Sequence, residues 1–264
     1  FWFQYGGWHT ADLWAQNQPA GGVTFTGSPS AFSFVDNANV VHHSAFVIGT
    51  NGHLYNYAWS SSVGWSLTDV SAAVGLTGAT LTNVPSAHSL IQTGALVQDV
   101  FVNATNGHLY EFWFQSGGWH YGDRWSANPP PGTVTFTSSP SGFSYTDNGG
   151  ILHHSVFVIG TDQHLYNYDW RINGGWSLTD VSGSSAALTA SPSGAAFTQS
   201  NSLVEDVFAR DTSGKIWEYY YQADGSGTYH WYANGSLTAS VGATGSPSAA
   251  SYSFDGQNVR HSVF

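Results

Sequence analysis

Four times in this chain a Trp is followed four residues later by an Asp: Trp8 and Asp12, Trp65 and Asp69, Trp119 and Asp123, Trp176 and Asp180. A fifth Trp, Trp231, stands where Gly235 replaces the acid. A flat apolar ring beside a carboxylate acceptor suits a neutral sugar, whose C–H face lies on the ring while its hydroxyls donate to the acid. The pair has a structural reading as well, in which the ring packs one repeat on the next and the carboxylate caps backbone N–H groups at a turn. A second recurrent polar position reads His43, Gln98, His154, Glu205 and His261, three residues before a recurring Phe. The His residues there would hydrogen-bond within the structure or contact a sugar. A metal held by several of them would draw its ligands from different repeats, so neither a metal nor a cofactor is expected.

Catalytic chemistry is not written into these positions. A glycosidase needs one pair of carboxylates facing each other across a single cleft, about 5–9.5 Å apart. Here nearly every acid is a repeated residue; Asn56, Glu111, Asn167 and Glu218 alternate at one position, and the third Glu of the chain is Glu205. Neither a nucleophilic Ser elbow nor a phosphate-cradling Gly loop is present. The residues describe a binding protein with no catalytic group.

The elements that must carry these residues come in five copies. Pro-Ser followed by Ala or Gly opens a segment at Pro29, Pro85, Pro140, Pro192 and Pro247, and a strand with a recurring Phe follows 16 or 17 residues later, at Phe46, Phe101, Phe157, Phe208 and Phe264. An aromatic run follows four of them, as in His53-Leu54-Tyr55-Asn56-Tyr57; after Phe264 it is missing, and Phe1-Trp2-Phe3-Gln4 supplies it at the other end. Each repeat predicts four short strands, for example Val41 to Ile48, His53 to Trp59, Gly64 to Val70 and Ser86 to Leu90. The expected fold is all-β: a five-bladed β-propeller of four-stranded antiparallel blades, a single domain over residues 1–264, closed by pairing Arg260 to Phe264 with Phe1 to Gln4. An extended solenoid is the alternative, although split closure has no purpose in it. Taking the strand with His43 and His154 as the innermost one places those side chains around the channel or in the clefts between blades. Residues 1–71 align without a gap on 112–182, a duplication of two repeats that makes the repeat near 201–255 the divergent one.

Composition narrows the partners. The chain of 264 residues is 16% aromatic but only 8% charged, with a formal net charge of −11 and five basic residues, Arg124, Arg171, Arg210, Lys215 and Arg260. A nucleic-acid phosphate backbone and an anionic membrane surface are therefore disfavoured, and no apolar run is long enough to insert across a bilayer. There is no Cys, which leaves the redox compartment open. The chain has no Met and begins inside a predicted strand, as a processed or trimmed product would. Asn103-Ala104-Thr105 and Asn234-Gly235-Ser236 fit the glycosylation sequon. A homo-oligomer and a secreted or cell-surface location are both compatible with this composition.

Segments such as His154-Ser155-Val156-Phe157-Val158-Ile159-Gly160-Thr161-Asp162, followed by His164-Leu165-Tyr166 and Gly174-Gly175-Trp176, resemble the repeats of β-propeller lectins. The nearest likeness is to the Photorhabdus-type and Aleuria-type fucose-binding propellers, while five blades resemble the tachylectin type. The resemblance implies sugar pockets between blades and hence a multivalent lectin for neutral glycans or glycoconjugates, with avidity from several weak sites. The Arg and Glu pair typical of the Aleuria type is not repeated in this sequence. A protein-interaction scaffold and, behind it, a glycan-cleaving enzyme are the competing functions. The candidate sugar residues are Trp8, Asp12, Trp65, Asp69, Trp119, Asp123, Trp176, Asp180, Trp231, His43, His154 and His261.

Overall fold

The computed structural model describes residues 2–4, 6–36, 38–147, 149–199, 202–224, 226–237, 242–253 and 259–264. Four antiparallel sheets of four strands follow one another along the chain. The first holds β3 (Phe25–Val35), β4 (Val41–Gly49), β5 (Leu54–Ser60) and β6 (Gly64–Asp69); the second holds β7 (Leu81–Gln92), β8 (Ala95–Ala104), β9 (Leu109–Gln115) and β10 (Gly118–Asp123). The third runs β11 (Ser141–Thr146), β12 (Leu152–Ile159), β13 (Leu165–Arg171), β14 (Gly175–Asp180), and the fourth β15 (Ser193–Gln199), β16 (Ser202–Arg210), β17 (Ile216–Ala223), β18 (Tyr229–Ser236). Two hairpins complete the set: β1 (Trp2–Gln4) with β2 (Gly7–His9), and β19 (Ala249–Ser253) with β20 (Val259–Val263).

The Pro-Ser strand opens each sheet, which corrects the expected frame by one strand. Ser86 to Leu90 lies in β7 and pairs with β8, not with the sheet before it. The reason is local: a tight turn through Thr93 and Gly94, both at positive φ, joins β7 to β8, whereas after Asp69 the chain turns into the short helix α2 (Val70–Ala73) and crosses to the next sheet. The strands in contact from sheet to sheet are therefore β3, β7, β11, β15 and β19. The strand carrying His43 and His154 is second in its blade, so these His residues do not ring a channel.

The same frame explains the Pro-Ser-Ala/Gly motif. The Ser30 hydroxyl accepts from Ala87 N–H at 3.0 Å, Ser86 from Gly142 at 2.8 Å, Ser141 from Gly194 at 3.0 Å and Ser193 from Ala249 at 2.9 Å. Each motif thus bonds to the third residue of the next one, four rungs along the inner strands. Further out, the hairpin turn after β4, β8, β12 and β16 receives a backbone bond from the following linker, as in Leu81 N–H to Gly52 O and Phe136 N–H to Gly107 O, both 2.8 Å. Gly52 and Gly107 adopt φ of 74° and 77°, and a Cβ there would fall 2.3–2.4 Å from Thr80 or Thr135.

The core lies between sheets. Phe46 and Leu54 of the first sheet pack with Val100 and Phe112 of the second; Phe101 and Leu109 pack with Val156 and Tyr168 of the third; Phe157 and Leu165 pack with Val207 and Tyr219 of the fourth. The recurring Trp closes each layer edge-on: Trp119 on Phe46 at 5.8 Å, Trp176 on Phe101 at 5.9 Å and Trp231 on Phe157 at 5.6 Å between ring centroids. Phe46, Phe101, Phe157 and Phe208 are buried, but Phe264, the fifth of the series, is 85% exposed. Among the described residues β20 pairs with β19 and β1 with β2, with no ladder joining β20 to β1; Phe1 lies outside the described residues. Of the two sequons, Asn103 is fully buried and donates to Ser138 O at 2.8 Å, which removes it as a glycan acceptor, while Asn234 is exposed.

Candidate functional site

The structure separates the Trp and Asp that the sequence places four residues apart. Four strand residues span about 13 Å, and the two ends of each strand serve different purposes. Asp12, Asp69, Asp123 and Asp180 accept from the backbone N–H of Ala15, Ala72, Ser126 and Gly183 at 2.8–3.0 Å. The first three thereby cap α1 (Leu13–Gln16), α2 and α3 (Arg124–Ala127). Asp69, Asp123 and Asp180 also bind the Nδ1 atoms of His53, His108 and His164 at 2.7–2.9 Å. These carboxylates are occupied by the fold, as the capping alternative requires. Trp8 is exposed, Trp119 and Trp231 serve chiefly as packing, and the His261 side chain is outside the described residues. Half-buried His43 accepts or donates at Nδ1 with Ser33 at 2.6 Å and lies against Trp59. Burial, aided by His42, pushes its pKa down.

Trp176 and His154 do meet, in a cleft of about 290 Å³ between the second and third sheets. Its walls are Glu111 and Trp113 of β9, Trp170 of β13, Trp176 of β14, and Arg124 at the start of α3, with Gln92, Val97 and Gln115 at its margin. The Arg124 guanidinium lies between two indoles, its Cζ 5.6 Å from the Trp113 ring centre and 5.0 Å from that of Trp176, an arrangement a planar cation favours. Its Nε is ion-paired with Glu111 Oε2 at 2.6 Å, and both side chains are largely buried. Burial pushes the Glu111 carboxyl well above its usual range and the neighbouring Asp99 adds to this, while Arg124 pulls the other way. Beneath the cleft, fully buried Asp99 binds His154 Nδ1 at 2.7 Å, and His88 lies 3.8 Å from the same oxygen. Burial brings the pKa of His88 down to about 4.

Local sequence makes room for this arrangement. Where the first and third sheets read Leu67-Thr68-Asp69-Val70 and Leu178-Thr179-Asp180-Val181, the second reads Tyr121-Gly122-Asp123-Arg124. Gly122 faces Glu111 across the β9–β10 ladder, and a Cβ on it would fall 2.3 Å from Arg124 Nη2. Glu111 itself stands where Asn56 and Asn167 are found. Arg124, Trp113 and Trp170 are absent from the candidate sugar residues of the repeat pattern, and Glu111 entered it only as one of an alternating Asn/Glu set. The signal for them was present as its opposite: the positions where one repeat departs from the others.

At the equivalent positions between the third and fourth sheets the polar side chains pair with one another. Arg171 Nε pairs with Asp169 Oδ2 at 2.8 Å, Asp169 with His153 Nδ1 at 3.1 Å, and Glu205 accepts from Tyr145 and from Ser155, the latter at 2.7 Å. Burial raises the Glu205 pKa to about 7, with Asp169 adding and Tyr145, Ser155 and His153 opposing. Between the first and second sheets, Ser44 binds Gln98 at 2.9 Å; Val70 and Ala58 stand there where Arg124 and Trp113 stand in the cleft between the second and third.

Neither a protein-family model nor a curated protein sequence matches the chain. Solved structures do. The lectin of the fungus Aleuria aurantia, described as a six-bladed β-propeller with a novel mode of fucose recognition, superimposes with a TM-score of 0.56 at 14% identity, over 87% of this chain and 70% of the lectin. SapL1 lectin, solved with α-methyl fucoside, gives 0.54 at 15% identity over 90% and 78% of the two chains. AofleA from Arthrobotrys oligospora gives 0.52 at 15% identity over 78% of this chain and 56% of that one. At these identities the likeness defines the fold, a β-propeller. In detail, two of the lectins it is similar to, SapL1 and a point variant of the Aleuria aurantia lectin, were solved with methyl fucosides.

Proposed function

We propose that this protein is a sugar-binding propeller without catalytic activity, and that the cleft between its second and third blades is its principal sugar site. The observation that carries the reading is the Arg124–Glu111 pair held between Trp113 and Trp176. Arg supplies several N–H donors in one plane and Glu supplies acceptors, so together they match vicinal hydroxyls. The guanidinium is already paired with Glu111 and leaves no unpartnered charge to call for an ionic ligand, which favours a neutral one, and the indoles offer a C–H stacking face. A cleft of about 290 Å³ is at the small end of ligand pockets and suits a single sugar unit. Glu111 is the one carboxylate among the cleft-lining residues, and Asp99 adjoins it from below, which argues against a hydrolytic pair spanning the cleft.

The same reading extends to the ring. Residues 1–264 form one domain of five blades, the fifth assembled from β19, β20, β1 and β2. Trp119, Trp176 and Trp231 each cover the Phe of the preceding blade; continuing the series sets Trp8 on Phe208 and Trp65 on the now exposed Phe264. At the offset of 111, Trp2, Trp59, Trp65 and His43 take the positions of Trp113, Trp170, Trp176 and His154, with Leu13 in place of Arg124. A second, weaker sugar site in the closing cleft follows, giving a valence of two and not the fivefold equivalence that the repeat alone suggests.

The test is titration calorimetry with a panel of neutral monosaccharides, beginning with L-fucose, since fucosides are the ligands in the similar structures. Arg124→Ala removes charge-assisted hydrogen bonds worth about 1.5–3 kcal/mol and should weaken binding roughly 10- to 100-fold. A panel with no ligand at millimolar sugar, or an Arg124→Ala protein that binds like the wild type, would overturn the proposal.

A further inference from the structure

We infer that His88, Asp99 and His154 form a binding site for a single divalent transition-metal ion, zinc being the best match, that ties the second blade to the third beneath the sugar cleft. His88 and Asp99 face each other across the β7–β8 ladder, and His154 reaches them from β12. His154 Nδ1 lies 2.7 Å and His88 Nε2 3.8 Å from Asp99 Oδ2, and the three donor atoms fall within 4.8 Å of one another. Tetrahedral zinc with bonds of 2.0–2.1 Å requires donors about 3.4 Å apart, so His154 Nδ1 and Asp99 Oδ2 part by about 0.7 Å, exchanging their hydrogen bond for the ion, while the His88 ring closes in by about 0.4 Å. Ser144 Oγ, hydrogen-bonded to His88 Nε2 at 2.6 Å, gives up that bond when the ion binds and is placed to hold a water as the fourth ligand.

Hydrogen bonding within the protein leaves this cluster incomplete. Asp99 is fully buried, and the one polar neighbour left for its Oδ1 is another acid, Glu111, with no bond of good geometry between them; His88 Nδ1 and His154 Nε2 have no partner either. A buried carboxylate with one oxygen unpartnered is costly, and a cation beside two imidazoles removes that cost with the ligand types zinc prefers.

Occupancy has a consequence for the cleft, and this part rests on the sugar reading. Without an ion, Nδ1–H of His154 donates to Asp99, leaving Nε2 an acceptor. With Nδ1 on the metal, Nε2 must carry the proton and becomes a donor. Since His154 lines the cleft, the ion reverses the hydrogen-bonding sense of one of its walls.

Chelator-treated protein titrated with zinc by calorimetry, and with cobalt(II) by visible absorption, should take up one ion per chain, give the d–d bands of a low-coordinate nitrogen–oxygen site, and melt at a higher temperature. His88→Gln keeps Asp99 and His154 in place, so the protein folds while zinc affinity falls at least about tenfold; His42→Gln, outside the cluster, leaves it unchanged. Absence of zinc uptake by the wild type, or uptake unaltered in His88→Gln, overturns the inference. None of these readouts requires sugar, so a failed glycan titration would leave the metal result standing.

Discussion

Glu205→Gln should change how stability depends on pH, and in a direction opposite to that of an ordinary paired carboxylate. The Glu205 carboxyl is buried at the junction of the third and fourth blades, with Tyr145, Ser155, His153, Asp169 and, through Asp169, Arg171 around it, and its pKa is raised from 4.5 to about 7. Below about pH 4.5 the folded and unfolded chains both hold the proton. Between pH 4.5 and 7 the unfolded chain releases it first, so unfolding becomes easier as pH rises; above 7 the loss is complete. A gap of about 2.5 between the two pKa values, at 1.36 kcal/mol each, amounts to about 3 kcal/mol, or roughly 6–12 °C in melting temperature for a domain of this size. Gln keeps an acceptor for Tyr145 and has no charge to bury, so the variant lacks this loss. The wild type alone cannot isolate the effect, because His88, neutral in the fold with a pKa of about 4, lowers stability as pH falls below 6.5. Subtracting wild-type from variant melting curves between pH 4 and 8 cancels His88 and the surface acids. The difference should grow in favour of the variant by about 3 kcal/mol from pH 4.5 to 7 and then level off. A difference that stays flat over that range would refute the assignment of a protonated, buried Glu205.

Ring closure predicts that Trp2 and Ser262 pair as Trp113 and Asp99 do; in this Cys-free chain, Trp2→Cys with Ser262→Cys should form a disulfide spontaneously, seen as a two-dalton mass loss and a reduction-sensitive mobility shift. Gly122→Ala pushes on Arg124 Nη2 without straining the backbone, so sugar affinity should drop about tenfold or more while the melting temperature hardly moves. Trp119→Ala and Trp176→Ala both remove an edge-on contact with a buried Phe and should each cost about 3 kcal/mol or more of stability. Calorimetry should find sugar binding lost only in the second, and equal losses in both would make Trp176 mere packing.

The repeat, the four strands per unit and the all-β class were legible because aromatic residues alternate with small polar ones between Gly, Asn and Pro turns, and strand periodicity is a local property of the chain. Local patterns also reveal which residues recur, but not why they do. Trp119 and Trp231 recur to cover Phe46 and Phe157, and Asp69 and Asp123 recur to hold helix N-termini; sugar contact and structural duty leave the same periodic trace. Which strand is innermost was decided by pairing across about 15 residues, once the turn at Thr93-Gly94 joined β7 to β8. The cleft needed the tertiary structure most. Arg124 and Glu111 are 13 residues apart, Trp176 lies 52 beyond Arg124, and only the stacking of the second blade on the third brings the three together. Sequence by itself determined a chain of repeated four-stranded units rich in aromatic residues and poor in charged ones. Tertiary structure decided which single cleft breaks the repeat, because an ion pair can be buried only where a neighbouring blade supplies an indole to cover it and a glycine leaves space beside it.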